Sequence, residues 1–277
     1  MAYISFRDLP IYIAAGDDAL AEGESSSIMV HANQGSISYT PNVQSTRLLG
    51  QTPDAGKDYL IAGPFSASLS FSFFLKNGEF IPTAHTGDSK LSFAFGDKDG
   101  LRGTNMYLNS FSYTLAPYAP VQVNCEFGIY SKPEGKIASV GTTNLGPQPG
   151  AAASSQYAHG AYSTLTNPVA GTLTVENAAY QFTTSRQPVY AIGALTPSEV
   201  LQLTAEHQVS IAGDNIDALV GVGGVEEGAA VLDLKAPSAP TVTIMKSTVN
   251  GVVTAQTMNA SAGGVAQGTT TIQQSLL

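Results

Sequence analysis

Asn105-Met-Tyr-Leu-Asn-Ser-Phe-Ser-Tyr-Thr-Leu115 and Val121-Gln-Val-Asn-Cys-Glu-Phe127 stand on either side of Pro117 and Pro120. In both stretches large apolar residues alternate with small or polar ones, the period of a strand that buries one face and leaves the other polar. The prolines cannot donate to a ladder and mark the break between two strands. Cys125 falls on the apolar phase of the second strand, where a buried, inert thiol is the expected state.

Working outward, Phe65-Ser-Ala-Ser-Leu-Ser-Phe-Ser-Phe-Phe-Leu75 alternates over most of its length. Lys76-Asn-Gly78 then supplies the Asn-Gly pair of a tight reversal before Glu79-Phe-Ile81, which reads as a β-hairpin. Leu91 to Phe95, Gly171 to Val175, Ala179 to Phe182, His207 to Ile211, Thr241 to Met245 and Val252 to Ala255 read as further strands. Thr196-Pro-Ser-Glu199 has capping-box spacing around an early proline, the mark of a helix start, with a strand from Val200 as the alternative. Short helices are also expected at Ile216 to Val220 and near Pro53 to Leu60. Residues 131–155 carry Pro133, Pro147, Pro149 and a Gly-Ala-Ser tail, a linker or long exposed loop. The expected fold is mainly β: two tandem antiparallel sandwich- or barrel-like domains at 1–140 and 166–277, joined through 141–165.

Composition narrows the function. Only 12 % of the 277 residues are charged, against roughly 25 % in an ordinary soluble domain, so part of the surface is expected to meet protein rather than water. The 28 glycines and 15 prolines favour turns and strands over long helices. A formal charge of −9 argues against a surface that grips phosphate backbones, which requires clustered Lys and Arg. One cysteine allows neither an internal disulfide nor a multi-thiolate metal cage. No signal peptide or apolar span of ~20 residues is read, so a soluble protein made in a cytosol, with no membrane binding, is expected.

The two halves also echo one another. Tyr39 with Ser45-Thr-Arg47 and Gly50 is matched by Tyr180 with Thr184-Ser-Arg186 and Gly193, about 140 positions on. The strand Ser66 to Phe73 matches Glu206 to Ile211, and Leu91 to Phe95 matches Ala230 to Leu234. Leu108, Ala119-Pro-Val-Gln122 and Phe127 match Val253, Gly264-Val-Ala-Gln267 and Ile272. The shared order carries more weight than any single match.

An Arg-bearing strand, a Gly-bounded loop, an alternating hairpin, and a closing pair of the form Leu108-x-Ser-Phe-Ser-Tyr113 … Ala119-Pro-Val-Gln-Val123 resemble the tube domain of tail proteins from long-tailed bacteriophages. The resemblance covers residues 30–130 and 170–277. It implies that sheets of neighbouring subunits join edge to edge into a barrel around a channel, and that rings of six tube domains stack. A duplicated chain would then form a pseudo-six-fold homotrimeric ring in the virion tail, after synthesis in the host cytoplasm. Other tail proteins would be partners, and DNA would pass through the lumen without specific binding. A tail hub, also built on duplicated tube domains, is the alternative within that family. A two-domain carbohydrate-binding or adhesion module is the alternative of another class.

No constellation for catalysis stands out, and no catalytic, cofactor-binding or metal site is assigned. His31, His85, His159 and His207 are scattered, with none at the spacing that puts two ligands on one helix face; His207, beside Glu206, is read as making surface hydrogen bonds. Gly96-Asp-Lys-Asp-Gly100 begins like a calcium loop but lacks the glutamate at its twelfth position, and is read as a turn. Gly221-Val-Gly-Gly-Val-Glu-Glu-Gly228 lacks the strand and helix of a phosphate cradle and is read as a flexible loop. Asp17 with Asp18 and Glu226 with Glu227 are chain neighbours expected to face solvent. Phe71, Phe73, Phe93 and Phe95 alternate with small residues and belong to a core. No Gly-x-Ser-x-Gly elbow is present and no base is placed for Cys125, so the chain is read as a non-enzyme.

Overall fold

The computed structural model describes residues 11–16, 28–45, 59–61, 63–95, 101–135, 154–166, 175–214, 227–260 and 266–276. They form a mainly β protein, dominated by one large antiparallel sheet. The first half supplies β1 (Ile11–Ala15), β2 (Ile28–Val30), β3 (Ala32–Thr40), β4 (Val43–Ser45), β5 (Tyr59–Ile61), β6 (Ser66–Phe74), β7 (Leu91–Phe95), β8 (Leu101–Leu115) and β9 (Gln122–Ile129). The second supplies β10 (Thr164–Thr166), β11 (Val175–Val189), β12 (Glu199–Gly213), β13 (Glu227–Ala236), β14 (Ala239–Asn259) and β15 (Gln267–Leu276). Among the described residues no helix is long and apolar enough to cross a membrane.

Strand order repeats between the halves. The first half reads β1-β7-β8-β9-β6-β3 and the second β10-β13-β14-β15-β12-β11, every pair antiparallel. The detail repeats as well. β8 changes partner at Met106, paired to Leu91 on one side and Ile129 on the other, and β14 does so at Val252, between Glu227 and Gln273. Leu108 then pairs with Phe127 before a register shift ahead of Ser110, and Val253 pairs with Ile272 before a shift ahead of Ala255. A β-bulge inserts one extra residue and re-aims the strand beyond it. Both halves therefore bend their longest strand at the same point.

The halves are joined through β8 and β11, so eight strands run without interruption as β3-β6-β9-β8-β11-β12-β15-β14. The first part of β14 lies over that join, because Ser247 faces the hydroxyls of Tyr113 on β8 and Tyr180 on β11. Residues 157–160 tie the layers together: the Val121 N–H donates to the Ala158 carbonyl, the Ala158 N–H to Leu75, and the His159 N–H to Lys235. Among the described residues the larger of two buried clusters draws on both halves, with Phe71, Phe93, Phe127, Phe182, Ile211 and Leu232.

Three sequence expectations change. Asn77-Gly78 does turn the chain, with Gly78 at φ 82°, yet no return strand follows. β6 is already paired on both edges, by β3 and β9, which leaves Glu79 to Ile81 nothing to join. Phe80 drops instead into the core against Phe71 and Phe73, and Pro82–His85 form a 3-10 turn. The capping-box spacing at Thr196 starts no helix, since β12 begins at Glu199 and two-sided pairing outweighs a local signal. Of the helix expected near Pro53 to Leu60, Tyr59 and Leu60 lie in β5; its other residues, like Ile216 to Val220, lie outside the described set.

Candidate functional site

The β8–β11 seam is where the two repeats are welded. Ser110 to Leu115 pair with Ala178 to Thr183, setting Phe111 opposite Phe182 and Tyr113 opposite Tyr180 on the core side. The Tyr113 and Tyr180 rings stack with centroids 5.1 Å apart, and Phe111 meets Phe182 at 5.5 Å. Cross-strand aromatic pairs of this kind are the unit of sheet stabilisation. Burial raises the pKa of both phenols and lowers that of His207. The neutral Tyr180 hydroxyl can therefore donate to His207 Nδ1, 2.6 Å away.

Arg186 locks the seam. Its side chain is 0 % exposed, while that of its partner Asp88 is 68 % exposed. The guanidinium donates to Asp88 Oδ1 at 3.0 Å, to the Gly87 carbonyl at 2.6 Å and to the Leu108 carbonyl at 3.4 Å, and lies 5.0 Å over the Tyr107 ring. The planar fork of arginine suits this use, binding carbonyls and carboxylate while stacking on an aromatic face.

Away from the core, the sheet presents hydroxyls and amides. Ser36, Ser70, Glu126, Ser110, Thr183 and Glu206 stand in register across six neighbouring strands. Ser36 and Ser70 hydroxyls meet at 2.7 Å, those of Ser38 and Ser68 at 2.8 Å. Gln273 reaches the Glu206 carboxylate from β15. Among the described residues of the eight-strand run, counting β8 from Met106 and β14 from Val252, Arg186 is the one cation, and it is buried.

The run ends in two edges. Among the described residues β3 is partnered only by β6, and β14 beyond Val252 only by β15. Apolar side chains lie there unshielded on the core-facing phase, Tyr39 at 39 % exposure and Met258 at 58 %. Unpaired edges are templates for another chain unless something covers them.

The residues weighed for chemistry do not converge. His31 Nδ1 sits 2.8 Å from Glu79 Oε1 in a buried corner that Lys76 also approaches, at 3.9 Å from the same oxygen. His85 stacks on Phe80, with centroids 5.1 Å apart, and burial lowers its pKa. His159 accepts from the Ala161 N–H. His207 corrects the surface reading: it shares the inward phase of Ala205, Val209 and Ile211 and contacts Tyr180 and Phe182. Cys125 is buried and its thiol pKa is pushed up, consistent with an inert core residue. Phe71, Phe73 and Phe93 are core, while the Phe95 side chain lies outside the described set. So do Gly96 to Gly100, Asp17, Asp18, Glu226 and the Glu227 side chain; Gly228 is a strand residue, paired with Gly251.

A groove of about 310 Å³ borders Asp88, Gln202, Thr204 and His207, but the Asp88 carboxylate already serves Arg186. Among the described residues no group of three or more His, Cys, Asp and Glu is placed to hold a metal ion. Sequence reasoning used Arg186 only as a repeat landmark; its role depends on residues nearly a hundred positions away. No family model matches the chain, and no curated protein matches it in sequence.

Proposed function

We propose that this chain is a structural subunit that polymerises through its sheet edges into a closed tube, the tail tube of a long-tailed phage virion, whose channel passes DNA without gripping it. The observation that carries this reading is the repeat itself. Two units of the same strand order are already joined edge to edge inside one chain, and among the described residues that run ends in one unpaired first-strand edge and one unpaired fourth-strand edge. A heterologous joint of this kind propagates until it closes into a ring or extends as a filament.

The sheet's polar face supports the conduit. Serine, threonine and glutamine side chains with Glu126 and Glu206, and no exposed Lys or Arg among the described residues of the eight strands from Met106 in β8 and Val252 in β14, offer DNA no counterion-releasing contacts. Three copies per ring, stacking of rings and contacts with other tail proteins follow from the family resemblance.

Sedimentation velocity across a concentration series tests the reading. Assemblies in multiples of three chains that lengthen with concentration are expected; a monomer at every concentration contradicts it.

A further inference from the structure

We infer that copies of this chain join through β3 of one and the end of β14 of the next, in the register that the internal seam already displays. This inference rests on the assembly reading and names its joint. The derivation is geometric. In the first repeat one row of paired residues runs Ile37, Leu69, Phe127, Leu108; in the second the equivalent row runs Tyr180, Val209, Ile272, Val253. Ile37, and not the Tyr39 that the sequence comparison set there, therefore occupies the place of Tyr180, and Val253 that of Leu108. Both long strands shift register immediately after that row, so counting onward crosses the same irregularity in each. Tyr113 then corresponds to Met258, and Phe111 to Gln256.

At the internal seam Tyr180 pairs with Tyr113, and Phe182 with Phe111. Carried to the free edges, Ile37 of one copy faces Met258 of the next, and Tyr39 faces Gln256. The phase agrees on both strands. Ile37 and Tyr39 pair with the buried Leu69 and Ala67, and Met258 and Gln256 pair with Gly268 and Thr270, both on the buried phase of β15. Tyr180 and Tyr113 are each 2 % exposed, whereas Met258 is 58 % exposed, so the joint supplies the cover that the isolated edge lacks. On the opposite face Ser38 meets Thr257, which extends the hydroxyl surface unbroken from one copy into the next.

A one-residue slip would turn every apolar side chain of the joint to the polar face, which makes the register checkable. Residues directly opposite across antiparallel strands have Cβ atoms about 4.5–5.5 Å apart, close enough for a disulfide with slight adjustment, while diagonal neighbours lie about 7–8 Å apart. Ser38 and Thr257 are exposed and away from the core, so cysteines there leave the fold intact, and native Cys125 is buried.

The test oxidises the full-length double variant Ser38→Cys/Thr257→Cys alongside the diagonal pair Ser36→Cys/Thr257→Cys, with sedimentation of the reduced proteins in parallel. A non-reducing gel ladder for the first pair, ending at the ring's copy number and at least tenfold weaker for the second, is the expected result. Assembly without that ladder, or with a stronger ladder from the diagonal pair, overturns the joint and leaves the tube reading standing. Reduced protein that stays monomeric overturns both. Met258→Asp gives a second readout: near-wild-type circular dichroism with loss of assembly is expected, and undiminished assembly overturns the joint.

Discussion

A guanidinium with none of its side chain exposed must place its donors inside the protein, and Arg186 places them on Asp88, Gly87 and Leu108. Truncating it takes the donors from the exposed Gly87 carbonyl and from the carbonyl of the buried Leu108 at the weld between repeats. Arg186→Ala should lower stability by about 2–4 kcal/mol in chemical denaturation, since hydrogen bonds to charged groups contribute roughly 1.5–3 kcal/mol and orphaned partners add to the loss. Arg186→Lys should recover only part, because an ammonium lacks the planar fork. Asp88→Asn should cost less than about 1 kcal/mol, as that carboxylate is largely in water. His207 yields a prediction with a definite sign. Burial holds its pKa below the ordinary 6.5, so the unfolded chain takes up the proton first. The contribution is fully present above about pH 6.5 and is lost as pH falls through the lower folded-state value. Thermal melts between pH 8 and 5 should show a shallower acid-side decline for His207→Gln than for wild type; identical slopes would count against a neutral, half-buried ring.

At the scale of elements, β14 shows both what alternation reveals and what it hides. Thr241 to Met245 and Val252 to Ala255 are readable as strands, but they are parts of a single strand, Ala239–Asn259. The inward phase runs on between them through Ser247 and Val249, but a buried serine at 247 and Gly251 stand where large apolar residues would have shown the sequence to be one strand. The same limit governs Glu79 to Ile81, where turn chemistry is legible but the occupancy of β6's edges is not. The echo of Leu108 and Phe127 in Val253 and Ile272, by contrast, was legible, and each pair is a directly opposed couple in the structure. The exchange point also predicts an intolerant glycine. A methyl group on Gly251 would collide with the Gln273 backbone carbonyl, which no rotamer can relieve, whereas one on Gly87 meets nothing within 4 Å. Gly251→Ala should destabilise by about 1–3 kcal/mol, the usual cost of overpacking, and Gly87→Ala should stay within about 0.5 kcal/mol of wild type.

For the whole molecule, the low charge density of the sequence has a location. It coincides with an eight-strand run whose polar face carries two carboxylates in its central register row and, among the described residues from Met106 in β8 and Val252 in β14, no exposed Lys or Arg, and whose two end strands have one partner each among the described residues. The proposed channel and ring would arise only between chains, so strand patterns within one chain do not record them; the internal β8–β11 seam is the edge-to-edge joint that the chain itself contains. Negative-stain electron microscopy of the purified full-length protein tests the account most directly. Hollow cylinders of uniform width, built from stacked rings, are the predicted result, and a field of isolated particles of single-chain size at every concentration would contradict it.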